Sequence, residues 1–312
     1  MTVPRFSLTE NRYDQSTYAG RFRRMLDICD PSSLLFSHAE IFEAANRLKQ
    51  FEAGSRIYSD VELWRARKLK DSAIHPDTGE LIPAPFRMSG YVPFNGPVSV
   101  GAMLAQRTPW IILWHWVNQS QNALVNYFNR NASSHVSNKT LLYSYLAAVT
   151  SAIAIAYGLS TAVKATLPPE RAVSVLRLVA MPTSMVASSL NCYIVRRSEL
   201  ITGIMVYDAS DGKAVGMSRI AAEKALTEVF FSRMFLQFPV FGVPVVFMAL
   251  PPVSRFLRKN PKMTVPVSAS LLLLGFGFGL PASIAAFPQQ GTMTAVEPEL
   301  NARGPVTFNK GL

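Results

Sequence analysis

The sequence predicts an all-α integral membrane protein, with about five transmembrane helices preceded by a small, polar, helical N-terminal region. Two observations carry that prediction. Charged residues make up only 16% of the 312 residues, against roughly 25% in an average soluble domain, yet the formal net charge is +11. The charge is also unevenly placed. Residues 1–94 hold 13 basic and 12 acidic groups, whereas residues 95–312 hold 18 basic and only 8 acidic ones, set between long uncharged runs. A water-soluble front followed by acid-poor apolar stretches with basic connections fits a multi-pass membrane protein. Hydrophobic residues at 49% exclude intrinsic disorder. Two cysteines, Cys29 and Cys192, exclude a disulfide-built module and read as isolated thiols. A basic nucleic-acid binder would account for the charge but not for the uncharged runs, so no nucleic-acid partner is expected. The expected divisions are a polar helical region over 1–94, a transmembrane domain over 95–296 and a polar tail over 297–312.

Met1–Asp14 is polar and carries Glu10 and Asp14. It reads neither as a secretory signal nor as an acid-poor mitochondrial presequence. Ser37-x-x-Glu40 and Ser59-x-x-Glu62 are capping boxes that each start a helix. Ile41, Ala44, Ala45, Leu48 and Phe51 follow the first box at helical spacing, and Gly54 closes that helix. Trp64 and Leu69 follow the second. The pair predicts a helical hairpin, read foremost as a packing unit without chemistry of its own. His75-Pro76-Asp77-Thr78-Gly79-Glu80 comes next. Pro, Asp and Gly at these offsets make a turn for local reasons. His75, Asp77 and Glu80 are metal-ligating residue types, but their spacing matches no metal motif. A structural turn is preferred, and no metal or other cofactor is expected.

The apolar runs follow, and a span needs about 20 mostly apolar residues. Thr140–Val163 lies between Lys139 and Lys164, Leu178–Val195 between Arg177 and Arg196, and Met234–Ser254 between Arg233 and Arg255. Such basic brackets reach out to the headgroups. Met263–Val296 is long enough to cross and then leave. Pro97–Val117 completes the five, with Arg107 inside it and Trp110, Trp114 and Trp116 near its end. An odd number of crossings puts the termini on opposite sides. Prolines interrupt several spans: Pro182 in the third, Pro239, Pro244, Pro251 and Pro252 in the fourth, Pro266 and Pro281 around Gly275, Gly277 and Gly279 in the fifth. Kinked helices suit alternating access but also occur in static proteins. Between spans three and four, Asp211-Gly212 signals a tight turn, and Ser218 is placed to cap a helix from Arg219.

The stretch from Trp116 to Asn131 carries the most informative pattern. At about 100° per residue, Asn118, Asn122, Asn126 and Asn129 fall within about 80° of one helix face. Asparagine is a poor helix former, so four on one face need a reason. The amide both donates and accepts without net charge. Such a face, with Gln119 and Ser120 beside it, suits a zwitterionic solute, or equally a wet seam of interhelical hydrogen bonds. Asn191, alone in an apolar run, carries the same two readings. Arg107 could pair with a substrate carboxylate or snorkel outward. His115 could titrate or contact solute, with a structural role favoured.

With these residues in view, the chain closely resembles the sideroflexin family of mitochondrial inner-membrane carriers. The matching stretches begin with Asp14-Gln15-Ser16-Thr17, Gly20-Arg21, Leu63-Trp64 and His75 through Glu80. They continue with Arg87-Met88-Ser89, Asn118-Gln119-Ser120, Asn122-Ala123, Asn126-Tyr127 and Asn129-Arg130. Asn191, Arg196, Glu199-Leu200, Phe287-Pro288-Gln289 and Asn309-Lys310-Gly311-Leu312 complete the match, which runs from about residue 12 to the end. Phe86 through Tyr91 and Gly20-Arg21-Phe22-Arg23 look most like the fifth branch, which has carried the label tricarboxylate carrier. The resemblance implies residence in the inner membrane without a cleaved presequence, with the N-terminus in the intermembrane space. It also implies import of serine, with alanine and cysteine as further substrates, in support of one-carbon metabolism. Older family names point to citrate and iron. One branch, tied to respiratory-complex assembly, departs from the His-Pro-Asp motif that is intact here.

Three functions are therefore carried forward. The first is a transporter of small neutral amino acids, serine foremost. The second is a tricarboxylate carrier, and the third a membrane scaffold without flux. No nucleophilic triad, phosphate-binding loop or paired catalytic carboxylates are visible, so neither an enzyme nor an ATP-driven pump is expected. The partners expected are the small-molecule substrate and the lipid bilayer, with cardiolipin on the basic span ends.

Overall fold

The computed structural model describes residues 3–76, 78–105, 107–129, 138–294, 300 and 304–310. The N-terminal region folds as three helices: α1 (Tyr18–Ile28), α2 (His38–Glu52) and α3 (Asp60–Ala73). Both expected capping boxes are present. Ser37 and Ser59 accept from the Glu40 and Glu62 amides, and each glutamate reaches back to the cap residue's own N–H. These bonds to serine hold the Glu40 carboxyl below the ordinary carboxylate range. The α2–α3 hairpin buries Ala44 and Leu48 against Leu63, Trp64 and Ala66. Phe6 closes that core edge-on to Phe51 and Trp64.

The membrane part begins with a turn of π-helix at Tyr91–Asn95. It continues through α4 (Gly96–Leu104), α5 (Thr108–Phe128), α6 (Asn138–Thr166) and α7 (Pro169–Thr202). A hairpin of β1 (Ile204–Asp208) and β2 (Ala214–Ser218) leads into α8 (Arg219–Gln237). A second π-turn at Phe238–Gly242 joins it to α9 (Val243–Ala249), then α10 (Pro251–Lys259) and α11 (Thr264–Ala285). The chain closes with β3 (Gln290–Met293) and β4 (Val306–Asn309).

Among the described residues, three helical stretches are long and apolar enough to cross a membrane: Tyr145–Thr166, Arg219–Ala249 and Pro261–Ala285. They correspond to the second, fourth and fifth expected spans. The third expected span lies in α7, whose apolar stretch is the shorter Met185–Ile194.

The first expected span, Pro97–Val117, is not one helix. It is divided between α4 and α5, with a break between Leu104 and Thr108. Pro109 in the first turn of α5 cannot donate to the carbonyl of residue 105, and its ring would clash there, so the helix restarts. The two arms fold back on each other, and a side chain at Gly101 would overlap the Trp114 ring.

The fourth span starts earlier than its charges imply. Ser218 accepts from the Ala221 amide at 3.0 Å and caps α8, so Arg233 lies about 21 Å along that helix rather than at a span end.

A small sheet accompanies the helices, a feature absent from the all-α expectation. Its order is β2-β1-β4-β3, antiparallel throughout. Val306–Asn309, within the expected polar tail 297–312, is thereby tied down. Val306 and Phe308 are buried with Ile204, Val206, Ala221, Ala222 and Ala225.

The sheet also changes the topology. α1 docks on the C-terminal end of α11, where Arg21 Nε donates to the Ala285 carbonyl at 2.8 Å and the Tyr18 hydroxyl to that of Ala282 at 3.2 Å. These donors meet carbonyls that a helix end leaves free. The sheet begins five residues beyond that same end. The N-terminal region and the sheet therefore both lie at the C-terminal end of α11.

Candidate functional site: a polar seam along α5

The asparagine face of α5 turns inward, toward the π-turn at Tyr91–Asn95 and toward α8. Three levels can be followed along it. Nearest the N-terminal region, Asn129 Nδ2 donates to the Phe86 carbonyl at 2.8 Å, and Arg233 donates to Asn126 Oδ1. One turn deeper, the Tyr91 hydroxyl donates to Asn122 Oδ1 at 3.3 Å. Deeper again, at the middle of α5, stands Asn118. Its Oδ1 is buried and has no hydrogen-bond partner, and the same is true of Asn95 Oδ1. Asn95 is only 1% exposed. Leaving a buried acceptor unpaired costs about 1–3 kcal/mol, so two in one seam need a reason.

A small cavity of about 20 Å³, room for roughly one water, lies against the first two levels. Tyr91, Val125, Ser232, Arg233, Leu236 and Ser283 are among its lining residues. The Ser232 hydroxyl donates to the Ser283 carbonyl at 2.9 Å and ties α8 to α11 beside it. Close packing continues behind it. A Cβ on Gly275 would stand 2.4 Å from the Pro239 carbonyl, and one on Gly279 2.4 Å from the Pro239 ring. The π-turn at Phe238–Gly242 therefore approaches α11 at these two positions.

Other sequence candidates fall elsewhere. The Ser120 hydroxyl pairs with that of Tyr145 on α6 at 2.7 Å, on the far side of α5. Gln119 is buried, and Gln121 donates to the Pro85 carbonyl at 2.6 Å. Arg107 is exposed at the α4–α5 break, at the opposite end of α5 from Asn126. His115 is half-buried, between that end and Asn118. The Asn191 side chain, like Asp77, lies outside the described residues.

The His75–Glu80 motif is far from the seam in sequence and forms a closed loop. His75 N donates to the Glu80 carbonyl at 2.9 Å, Gly79 N to that of His75 at 3.0 Å, and Thr78 N to His75 Nδ1 at 3.3 Å. Gly79 takes φ +71°, which a side chain resists. These contacts are those of a structural turn.

Sequence reasoning missed Tyr91 and Asn95, and counted Arg233 as a span bracket and as one of several arginines available to a tricarboxylate. The uninterrupted helical run behind the Ser218 cap was a readable sign that Arg233 is interior. Tyr91 and Asn95 acquire their roles only because α4 doubles back on α5.

Arg196, by contrast, is committed to structure. It holds both Glu199 carboxylate oxygens, at 2.8 and 2.6 Å, and donates to the Lys310 carbonyl at 2.8 Å. Lys310, 2% exposed, pairs in turn with Glu228 of α8. In the N-terminal region, Lys68 bridges Asp27 and Asp30 at 3.1 and 2.6 Å. Nearby, burial pushes the Asp71 carboxyl above its ordinary range, against the opposing pull of Arg67 and Arg24.

The fold and the seam define a multi-pass helical membrane protein with a polar strip inside its bundle. Comparison with known proteins places it further. The family model described as Sideroflexins matches residues 7–312. Sideroflexin-5 of Caenorhabditis elegans is 39% identical over 319 residues, covering 99% of this chain and 96% of that protein. Sideroflexin-5 of Homo sapiens is 38% identical over 320 residues, 99% and 94% of the two chains. Sideroflexin-3 of Homo sapiens is 35% identical over 320 residues and covers 98% of both. The chain belongs to the sideroflexin family. No solved structure matches it.

Proposed function

We propose that this sideroflexin is a mitochondrial inner-membrane transporter of small neutral amino acids, serine foremost, supplying one-carbon metabolism. The observation that carries this reading is the seam itself: neutral amides in series, with one cation near its outer end. Arg233 contacts the amide of Asn126 and has no carboxylate partner among the described residues. A guanidinium in that setting offers a site for one carboxylate. The amide oxygens of Asn122 and Asn126 offer acceptors for an ammonium on the same solute. One cation and several neutral dipoles match a zwitterion whose charges sum to zero.

A tricarboxylate fits less well. A trianion leaving water needs several cations around it. Arg196 is already neutralised by Glu199, and Arg107 stands at the far end of α5. A scaffold without flux would have no use for unpaired acceptors inside the bundle.

The cavity admits about one water, so carriage requires the seam to widen. The breaks between α4 and α5 and at Leu250, and the two π-turns, are where half-helices can tilt.

Serine uptake by purified protein in liposomes tests the reading. Arg233→Gln and Asn126→Ala are each expected to lower flux by about tenfold or more, the scale of one charge-assisted hydrogen bond. Excess citrate is expected to leave serine flux unchanged. Folded wild-type protein without serine flux above empty liposomes overturns the reading, and citrate competition restores the tricarboxylate alternative.

A further inference from the structure

The two unpaired amide oxygens belong together. Tyr91 meets Asn122 through a hydrogen bond, and Gly101 faces Trp114 through close packing. By this antiparallel register residue 95 falls level with residue 118, one turn beyond the Tyr91–Asn122 pair on both arms. Asn95 follows Tyr91 by four residues in the same π-turn. The unused groups at this level are thus two carbonyl-type oxygens, Asn95 Oδ1 and Asn118 Oδ1, both buried.

The depth of this level is informative. Asn118 is the central residue of α5, and Gly96, next to Asn95, packs on Leu273 at the middle of α11. The level therefore sits near the midplane of the bundle, where carriers with broken helices hold their solutes and ions. It is about 12 Å along α5 from Asn126 and Arg233. The ammonium and carboxylate of one α-amino acid are far closer together than that. The two levels are separate stations rather than the two ends of one amino-acid site.

We propose that Asn95 and Asn118 form a midplane subsite for a small monovalent cation. The proposal rests on reading the seam as a solute path. Two acceptor oxygens without a donor call for a ligand that only donates or coordinates. Ammonium chemistry and alkali-ion chemistry share this demand. A neutral site holds such an ion weakly enough to release it, as turnover requires. The cation is then either an alkali ion that travels with the substrate or the substrate's own ammonium, once the carboxylate has left Arg233.

Thermal unfolding of the purified full-length protein in detergent tests this without reference to flux. The salts are sodium, potassium, ammonium and choline chloride at equal ionic strength, with serine added to the choline arm. A saturable rise in melting temperature with a small cation over choline supports the subsite. Sodium or potassium acting alone identifies an alkali ion. Ammonium and serine acting alone identify the substrate's ammonium. Asn118→Asp keeps the shape and adds a charge, and it is expected to lower the half-effective cation concentration by about tenfold. Asn118→Leu is expected to abolish the shift. Equal melting temperatures in all arms, together with no response to Asn118→Asp, overturn the proposal and leave the two oxygens to water. A cation shift without serine flux would retain the subsite and remove the transport reading, so the two failures are distinguishable.

Discussion

Glu199 is 2% exposed and accepts two hydrogen bonds from Arg196 one turn before it on α7. Losing one partner of a buried pair strands the other charge, which costs about 3–5 kcal/mol. Glu199→Gln is therefore expected to lower the thermal unfolding temperature clearly, and Arg196→Met alone likewise. The double variant Arg196→Met with Glu199→Gln is expected to recover much of that loss, since no charge is then stranded. Unfolding curves of the three proteins in detergent provide the check, and equal losses in all three would contradict the argument. At this scale the sequence was legible wherever the partner is local. Ser37, Ser59 and Ser218 were read as caps because a cap bonds within three residues. The Lys310–Glu228 pair and the Arg233–Asn126 contact were not legible. Their members are 82 and 107 residues apart, and no spacing rule connects them.

Among the elements, α11 illustrates how glycines on one helix differ. Gly275 and Gly279 face Pro239 with no space for a methyl group, whereas nothing lies within 4 Å of a Cβ at Gly277. Gly275→Ala is expected to cost about 1–3 kcal/mol through overpacking. Gly277→Ala is expected to be neutral or slightly stabilising, because alanine is the better helix former. Thermal unfolding of the two single variants separates them, and equal effects would mean that the approach to Pro239 does not set the packing. The sequence showed a run of three alternate glycines but not which of them face a neighbour. The α4–α5 hairpin was hidden for a related reason. Its residues are apolar enough to read as one span, and only Pro109 marks the restart. The sheet escaped because β1 and β2 are five residues each, and β4 pairs with β1 across 98 residues or more, from Asp208 to Val306.

For the molecule as a whole, the docking of α1 on the end of α11 places the N-terminal helices and the sheet on one face. Single cysteines at Ala53, at Ser210 in the β1–β2 turn and at Thr166 at the end of α6, all exposed, test this in sealed proteoliposomes of uniform orientation. Ala53 and Ser210 variants are expected to react with an impermeant maleimide from the same side, and the Thr166 variant from the other. Reaction at positions 53 and 210 from opposite sides would overturn the common face. The native thiols do not interfere. Both are buried, and burial pushes the Cys29 thiol up to about 12, far from reactive at neutral pH.

The sequence by itself determined that this chain enters a membrane, because its uncharged apolar runs reach the length that a span requires. It also determined the family, the two N-terminal capping boxes and the asparagine face, since each rests on composition or on spacing within one helix. Only the tertiary structure decided which way that face turns and that Arg233 is interior to it. The same holds for the Tyr91–Asn122 contact, and for the common face of the N-terminal region and the sheet. The reason is physical. Periodicity places residues around one helix axis, whereas the partner across the axis is chosen by how the chain doubles back, here at Pro109 and at the sheet closed by β4.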